Sequence, residues 1–443
     1  MKKLFVIGLD CAEPSLVYER WNDDLPNLRR LMEEGGYGRM RSTIPPITVP
    51  AWATMVSGKD PGELGFYGFR NRKDYTYDKL FVVNSLNFKA KAIWDYLEER
   101  NMKSIALGVP PSYPPKRING IMISGFLTPS AKSEYAYPAY IKRELEEKFG
   151  EYIFDVRNFR TDDKENLLKQ LYEMSEQRFE IVKWLMKEKN WDFFMFVDMG
   201  IDRLHHGFWK FFDPQHPKYI PGNPLENSGL EYYKFIDRKI GELLANLSDN
   251  TSIIVVSDHG AKRMEGGICI NEWLIREGYL KLKCKPQGIV RLEECEIDWK
   301  NTMAWASGGY YARVFLNVKG REPEGVISPG DYEKIRDELK EKIESITDDK
   351  GNKIETRVYK PEEVYREINN IPPDLIVLFG DLYWRSVGSI GFNSIWTHEN
   401  DTGPDDANHA QHGIFIYRGE LDLKGDLGEI KIEDIKDIML KHF

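Results

Sequence analysis

One stretch of the chain decides the fold, and it reads Ser252-Ile253-Ile254-Val255-Val256-Ser257-Asp258-His259-Gly260. Its apolar first half predicts a buried strand of the kind found in parallel sheets covered by helices. In open α/β proteins, ligands bind just outside the carboxyl ends of such strands. The Asp-His pair, followed by a glycine that lets the chain turn, therefore indicates a site for a divalent cation. Taken alone, the pattern fits a polar strand end equally well.

The same pattern recurs at other predicted strand ends. The apolar run 4–9 ends in Asp10, and the apolar run 191–197 is followed closely by Asp202 and His206. These two residues are four apart, so on a helical turn they share one face and can bind one ion. The repetition favours a metal site over a chance arrangement of polar residues.

The prolines around Thr48 indicate where this residue lies in the fold. Pro45, Pro46 and Pro50 frame a loop, and Pro50 suits the first turn of a helix. Thr48 would then lie near a helix N-terminus, where the dipole and free N–H groups favour anions. A hydroxyl there is a candidate nucleophile if a metal lowers its pKa, and a simple N-cap threonine is the alternative.

Composition and charge narrow the classes of function. Lys and Arg total 62 against 71 for Asp and Glu, a net charge of −9, which disfavours stable partners such as nucleic acid or an anionic membrane. The four cysteines lack the spacing of a disulfide framework. The opening apolar run is too short for a signal peptide, and no run reaches the roughly 18 residues of a membrane span. We expect a cytoplasmic protein, and the Lys- and Glu-rich composition hints at a thermophile.

The pattern of elements predicts an α/β fold with a mostly parallel central sheet sandwiched between helices. We expect a single domain over residues 1–443. Two segments of irregular composition, about 126–162 and 264–307, are predicted to be insertions that act as a lid and determine specificity. Further predicted elements are helices at 25–34, 89–100, 165–189, 230–247 and 331–345, and strands at 103–109, 120–125, 311–318, 374–379 and 414–417.

The candidate residues together predict a two-metal centre. Mixed carboxylate and imidazole ligands suit zinc best and manganese second, and magnesium less well. Two such ions about 4 Å apart can activate a nucleophile and hold a phosphoryl group during its transfer. The residues are Asp10, Thr48, Asp202, His206, Asp258, His259 and a histidine from the pair His409 and His412.

These motifs, in this order, resemble the alkaline phosphatase superfamily. It includes nucleotide pyrophosphatases/phosphodiesterases, metal-dependent phosphoglycerate mutases and a branch of predicted phosphohydrolases and phosphomutases. The resemblance extends from residue 10 to residue 415. The matching segments are Gly8-Leu9-Asp10, Thr48-Val49-Pro50-Ala51-Trp52, Asp202-Arg203-Leu204-His205-His206, Ser257-Asp258-His259-Gly260 and His409 with Gly413-Ile414-Phe415.

The resemblance implies how the ligands divide. Asp10, Thr48, Asp258 and His259 would hold one ion, with Thr48 as the nucleophile. Asp202, His206 and a late histidine would hold the other. We prefer His409 for that place because the family's histidine precedes the last core strand by four or five residues, with His412 and His398 as alternatives.

A substrate contact is also implied. Asn71 could match the asparagine that contacts a phosphate oxygen in the phosphodiesterases. Its loop is two residues longer here, and Leu64-Gly65 stands where the family often has His-Gly.

The implied function is hydrolysis of a small phosphoester, with nucleotide-like esters among the candidates, by in-line attack through a phospho-threonine intermediate. The alternative is a phosphomutase or phosphotransferase of the same superfamily, in which a second hydroxyl takes the place of water. Mutases of that family use serine as the nucleophile, so Thr48 favours the hydrolase. A binding module without chemistry is the third hypothesis, and the complete ligand set argues against it.

Overall fold

The computed structural model describes residues 2–443. Its helices are α1 (Pro26–Glu34), α2 (Thr48–Ser57), α3 (Pro61–Leu64), α4 (Ile93–Glu98), α5 (Tyr140–Phe149), α6 (Lys164–Glu188), α7 (Gly200–Phe212), α8 (Ser228–Leu244), α9 (Ile270–Arg276), α10 (Tyr332–Glu344), α11 (Pro361–Val364) and α12 (Ile435–Lys441). Its strands are β1 (Lys3–Leu9), β2 (Gly36–Arg41), β3 (Arg70–Arg72), β4 (Leu80–Val82), β5 (Ser104–Leu107), β6 (Gly120–Ile123), β7 (Ala136–Tyr137), β8 (Phe193–Asp198), β9 (Thr251–Val256), β10 (Gly260–Arg263), β11 (Gly266–Cys269), β12 (Ala304–Ser307), β13 (Ala312–Leu316), β14 (Arg357–Tyr359), β15 (Leu375–Leu378), β16 (Trp384–Val387), β17 (Trp396–Thr397), β18 (Ala407–Ala410), β19 (His412–Arg418) and β20 (Gly425–Lys431).

The main sheet has the strand order β20-β2-β19-β9-β1-β8-β5-β6-β7. Its centre, from β9 to β6, is parallel, and antiparallel pairs occur where β19 meets β2 and β9 and where β7 meets β6. The central strands β8 and β9 are buried along their whole length, as expected for a sheet with helices on both faces. The predicted α/β fold with a mostly parallel sheet is confirmed.

Strands β1, β8 and β9 bring their carboxyl ends to one edge of this sheet. In the parallel register, Gly8 pairs with Val256, and Leu9 pairs with Asp198. The residues that follow these strands therefore emerge side by side, which places the predicted ligands of three distant segments close together.

A second hydrophobic core lies outside the main sheet. Its buried residues run from Ile268 to Ile395, and it contains the small sheets β12-β13-β15-β14 and β16-β11-β17. The expected insertion at 264–307 is therefore only the first part of a larger folded unit. The strands predicted at 311–318 and 374–379 belong to that unit, as β13 and β15.

Much of segment 126–162 packs in the main domain, and its role as a lid and specificity segment stays a prediction. Strand β7 pairs with β6 at the edge of the main sheet. Tyr135, Ile141 and Leu145 are buried in the main core. The tyrosines of this segment differ in their surroundings, since Tyr135 is fully buried whereas Tyr140 is 44% exposed. Only the end of the segment, near Arg160, reaches the candidate site.

Within residues 2–443, no helix is both long and apolar enough to cross a membrane.

Candidate metal centre

The first group of candidate ligands lies where β1 and β9 end side by side. Asp10 follows β1 directly, and Asp258 and His259 come just after β9. Nε2 of His259 lies 3.2 Å from Oδ2 of Asp258 and 3.8 Å from Oδ1 of Asp10. Oγ1 of Thr48 lies 3.3 Å from the same nitrogen. The two acids, the imidazole and the hydroxyl are all buried and converge on one point.

The second group combines the start of α7 with β18. Asp202 and His206 lie one turn apart on α7, with Oδ1 of Asp202 3.3 Å from Nε2 of His206. Nε2 of His409, on β18, lies 3.3 Å from Nε2 of His206 and 3.8 Å from Oδ1 of Asp202. The imidazoles of His409 and His259 stack with their centroids 3.8 Å apart, so the two groups adjoin.

The imidazoles of His206, His259 and His409 all direct Nε2 toward the candidate ligand groups. Nδ1 of His259 lies 3.1 Å from the carbonyl oxygen of Gly260, and Nδ1 of His409 lies 2.7 Å from that of Pro46. Nδ1 of His206 lies 2.8 Å from Oδ1 of Asp405. Because these oxygens can only accept, each Nδ1 must donate its N–H, and in the neutral ring the lone pair is then on Nε2. The three lone pairs therefore point at the places where the acids converge.

Each of the three carboxylates is held by one oxygen only. Trp52 donates its indole N–H to Oδ2 of Asp10 over 2.7 Å, and the amide of Cys11 donates to Oδ1 of Asp258 over 3.2 Å. Asp202 accepts a hydrogen bond on Oδ2 from the guanidinium of Arg203, over 2.6 Å.

The other oxygens of these acids are Oδ1 of Asp10, Oδ2 of Asp258 and Oδ1 of Asp202. They are buried and have no hydrogen-bond partner within residues 2–443. Buried carboxylate oxygens are rarely left in this condition, since desolvation without a partner is costly. They are the oxygens that face the imidazole lone pairs, and this donor set fits two cations.

The pKa shifts of the first group also favour a bound cation. Burial, together with the nearby charge of Asp202, raises the pKa of Asp10 well above its usual value. Burial, together with Asp10, does the same to the pKa of Asp258. Burial lowers the pKa of His259 to about 4, so this ring is neutral at pH 7. A neutral ring beside two acids that resist ionisation is a site that a cation would stabilise.

Thr48 is the first residue of α2, as the proline pattern predicts. All residues of α2 are buried, and the helix starts at the first group of ligands. The free N–H groups of its first turn therefore add positive potential at the place where a phosphoryl group would meet the hydroxyl.

A hydrogen-bond network that the sequence analysis did not predict orients His206 through its Nδ1. Asp405 accepts from His206 on Oδ1, and its Oδ2 accepts from Nε of Arg160 over 3.0 Å and from the Tyr310 hydroxyl over 3.2 Å. The Tyr310 ring lies against both His206 and His409, with centroid distances of 4.7 and 4.3 Å. Although burial opposes it, the neighbouring acids Asp405 and Asp202 raise the pKa of His206 to about 9. Without a cation, Nε2 of His206 is therefore protonated at pH 7, and its lone pair becomes available when a cation replaces this proton.

The structure separates the three alternatives for the late histidine. His412 points to the surface and pairs with Glu429 over 2.8 Å. His398 is exposed and lies 3.3 Å from Asp349. Of the three, His409 is the one that joins the second group.

Asn71 holds its own loop. Its Oδ1 accepts from the amide of Tyr67 over 2.7 Å, and its Nδ2 donates to the carbonyl of Gly68 over 2.9 Å. These contacts give the side chain a structural role, and contact with a phosphate oxygen stays a prediction.

Solved structures share this fold. Phosphonoacetate hydrolase from Sinorhizobium meliloti 1021, in complex with phosphonoacetate, matches with a TM-score of 0.65 at 15% identity, over 100% of this chain and 95% of that one. Human ectonucleotide pyrophosphatase/phosphodiesterase 5 matches with a TM-score of 0.54 at 15% identity, over 99% and 94%. An inactive murine form of the latter enzyme, in complex with AMP, matches with a TM-score of 0.55 at 14% identity, over 100% and 95%. The fold is that of the alkaline phosphatase superfamily.

The sequence itself defines the family. Residues 4–413 match the family model described as type I phosphodiesterase / nucleotide pyrophosphatase. The chain belongs to this family, which consists of metal-dependent phosphoester hydrolases. No curated protein is similar to it in sequence.

Proposed function

We propose that the protein hydrolyses a small phosphodiester or pyrophosphate ester with Thr48 as the nucleophile and two divalent cations as cofactors. Asp10, Asp258 and His259, together with Thr48, would hold one cation. Asp202, His206 and His409 would hold the other. The observation that carries the proposal is the set of three buried carboxylate oxygens without partners in the described chain, which face imidazole nitrogens beside a threonine hydroxyl. Nitrogen and carboxylate ligands of this kind suit zinc first and manganese second.

When bound, the cations supply positive charge that lowers the pKa of a hydroxyl and offsets the charge of a phosphoryl group. The Thr48 oxygen attacks phosphorus in line, and the bond to the leaving oxygen breaks as the bond to Oγ1 forms. The N-terminus of α2 favours the negative charge on the phosphoryl oxygens. Water then cleaves the phospho-threonine and regenerates the hydroxyl. A nucleotide-like ester is among the candidate substrates, and the choice among esters is not fixed by these residues.

The test compares Thr48→Ala and Thr48→Ser with the unchanged protein, with bis(4-nitrophenyl) phosphate as substrate. We expect Thr48→Ala to lower kcat by about 10³-fold or more, because the attacking oxygen is gone. The metal content of Thr48→Ala, measured by inductively coupled plasma mass spectrometry, should be unchanged. Thr48→Ser should keep part of the activity. Acid quenching during turnover should trap a 4-nitrophenylphosphoryl group on the peptide that carries Thr48. Unchanged turnover in Thr48→Ala would remove this residue from the nucleophile's role.

Isotopic labelling separates the hydrolase from the phosphomutase alternative. In water enriched in ¹⁸O, a phosphodiesterase releases a phosphomonoester that carries the label, because water cleaves the bond between phosphorus and the Thr48 oxygen. A mutase returns unlabelled phosphate to an organic hydroxyl.

A further inference from the structure

A cavity of about 330 Å³ lies between the β3–β4 hairpin and the second core. The hairpin contributes Arg72, Tyr77 and Leu80 to its wall, and the second core contributes Trp299 and Trp305. Its volume is within the range of about 300–1,000 Å³ that is usual for small-molecule sites. The candidate metal ligands do not line it.

The aromatic residues give this cavity flat walls. Tyr77 and Trp299 stack in parallel, with centroids 3.6 Å apart and 5° between their planes. Trp305 stands nearly at right angles to both, at 74° and 78°. Tyr77 and Trp299 cover one face of each other, so a planar ring would stack on an outer face of this pair, an arrangement that aromatic rings prefer.

One polar group in the cavity lacks a partner. Arg72 is 5% exposed, and it donates to Oε1 of Glu322 over 3.1 Å and to the carbonyl of Thr76 over 3.2 Å. Its Nε has no hydrogen-bond partner in the part of the chain that the structure describes. A buried N–H in this position calls for an acceptor. Glu322 pairs with both Arg72 and Arg321, and Arg321 also pairs with Asp374. The charges of the two arginines are therefore balanced, and a neutral acceptor fits better than an anion.

We propose that this cavity binds a neutral, planar heteroaromatic ring with a hydrogen-bond acceptor on its edge. The ring stacks on the aromatic walls, and its acceptor takes the N–H of Arg72. Leu80, which lines the cavity and is 39% exposed, gives it an apolar mouth open to solvent. The site does not depend on phosphoester hydrolysis at Thr48.

Two cysteines allow a direct test with an internal control. Cys295 lines the cavity, whereas Cys284, eleven residues earlier, is exposed and does not line it. Alkylation of both thiols by iodoacetamide can be followed by peptide mass spectrometry. The probe is quinoline, compared with naphthalene, which has the same shape but no acceptor atom. We expect quinoline to slow alkylation of Cys295 several-fold and leave Cys284 unchanged. Naphthalene should protect with about tenfold lower apparent affinity, the order expected for one lost hydrogen bond.

Variants separate this site from general apolar binding and from catalysis. Trp299→Ala removes a wall, and Ser307→Phe fills the cavity that Ser307 lines. Both should abolish protection of Cys295. Trp184→Ala, far from the cavity, and Thr48→Ala should keep it. Equal protection of both cysteines, none in the unchanged protein, or full protection in Trp299→Ala would each overturn the proposal.

Discussion

At the residue scale, the site depends on which atom of each side chain is left free. Hydrogen bonds from Trp52, Cys11 and Arg203 occupy one oxygen of each acid, so the remaining oxygen has a fixed direction. Each Nδ1 is fixed in the same way by an oxygen acceptor. Such outer contacts orient ligands before an ion arrives, which raises affinity by lowering the ordering cost.

The Asp405 network gives a prediction at this scale. Asp405→Ala removes the acceptor that fixes Nδ1 of His206, and we expect the affinity for the second cation to fall about 10–100-fold. Asp405→Asn keeps an acceptor oxygen at nearly the same place, so it should lose less. Titration of the metal-free protein with zinc, followed by calorimetry, measures both.

The matched control for this experiment is the other cation position. Its affinity should stay within error in both Asp405 variants, because Asp405 touches none of Asp10, Asp258 or His259. Equal weakening at both positions would mean that Asp405 supports the fold in general. No weakening at either would remove it as a positioning residue.

The candidate ligands could be found from a local sequence pattern that the structure brings together, whereas the contacts that orient them could not. Asp10, Asp202 and Asp258 are acids directly after predicted strands or on the following turn, a local pattern. Arg160 and Tyr310 reach Asp405 from 245 and 95 positions away, so no local pattern points to them. The sequence did contain a signal for Asp405, because this residue lies in an acidic segment four residues before His409.

At the element scale, the candidate site is built from the starts of α2 and α7, the ends of β1, β8 and β9, and strand β18, which carries His409. Buried apolar runs made β1, β8 and β9 predictable, and the helices predicted at 25–34 and 165–189 match α1 and α6 closely. Strand β2 was missed, because Gly36, Arg39 and Arg41 are not strand-forming in isolation. It forms because β19 and β20 pair with it on both sides. Here tertiary pairing decides against local propensity.

The loop after α7 gives a prediction about pH. Nδ1 of His216 accepts from the amide of Lys218 over 3.0 Å, and Nε2 donates to the carbonyl of Asp406 over 3.0 Å. This arrangement needs a neutral ring, and burial lowers the pKa of His216 to about 4. The unfolded chain takes up this proton near pH 6.5 and the folded chain only near 4. Stability is therefore full above pH 6.5 and falls below it, by about 2 kcal/mol at pH 5 from this residue.

Urea unfolding at pH 7 and pH 5 measures this effect. His216→Gln should be less stable than the unchanged protein at pH 7 but should lose about 2 kcal/mol less on acidification. His398→Gln changes an exposed histidine and should behave like the unchanged protein. The same loss in all three proteins would show that other groups account for the acid sensitivity.

At the scale of the whole molecule, the connection between β12 and β13 places Tyr310 on two imidazoles of the candidate metal centre. The sequence predicted an insertion at 264–307, and the folded unit that contains most of this segment extends to Ile395 and includes β13 and β15. Which sheet a strand joins depends on partners far along the chain, and the alternation of a strand does not carry that information. The cytoplasmic location and the thermophilic origin stay predictions from composition.

Metal removal should be visible in the stability of the whole protein. Without cations, the unpaired oxygens of Asp10, Asp258 and Asp202 face one another in a buried space, so chelation should lower the melting temperature. At a free metal concentration 100 times Kd, one site contributes about 2.7 kcal/mol. Calorimetry with EDTA, and then with zinc or manganese restored, measures the change. The double variant Asp10→Asn with Asp202→Asn should not respond, and an equal lack of response in the unchanged protein would contradict the expectation.

The most direct test of the central claim is anomalous X-ray scattering at the zinc edge, from crystals grown with zinc. The account predicts two ions, one among Asp10, Asp258, His259 and Thr48, and the other among Asp202, His206 and His409. Asp202→Asn and His206→Ala should each lose the second ion and keep the first. The account would be contradicted if the unchanged protein bound its zinc ions at positions other than these two. It would also be contradicted if both ions were retained in these variants.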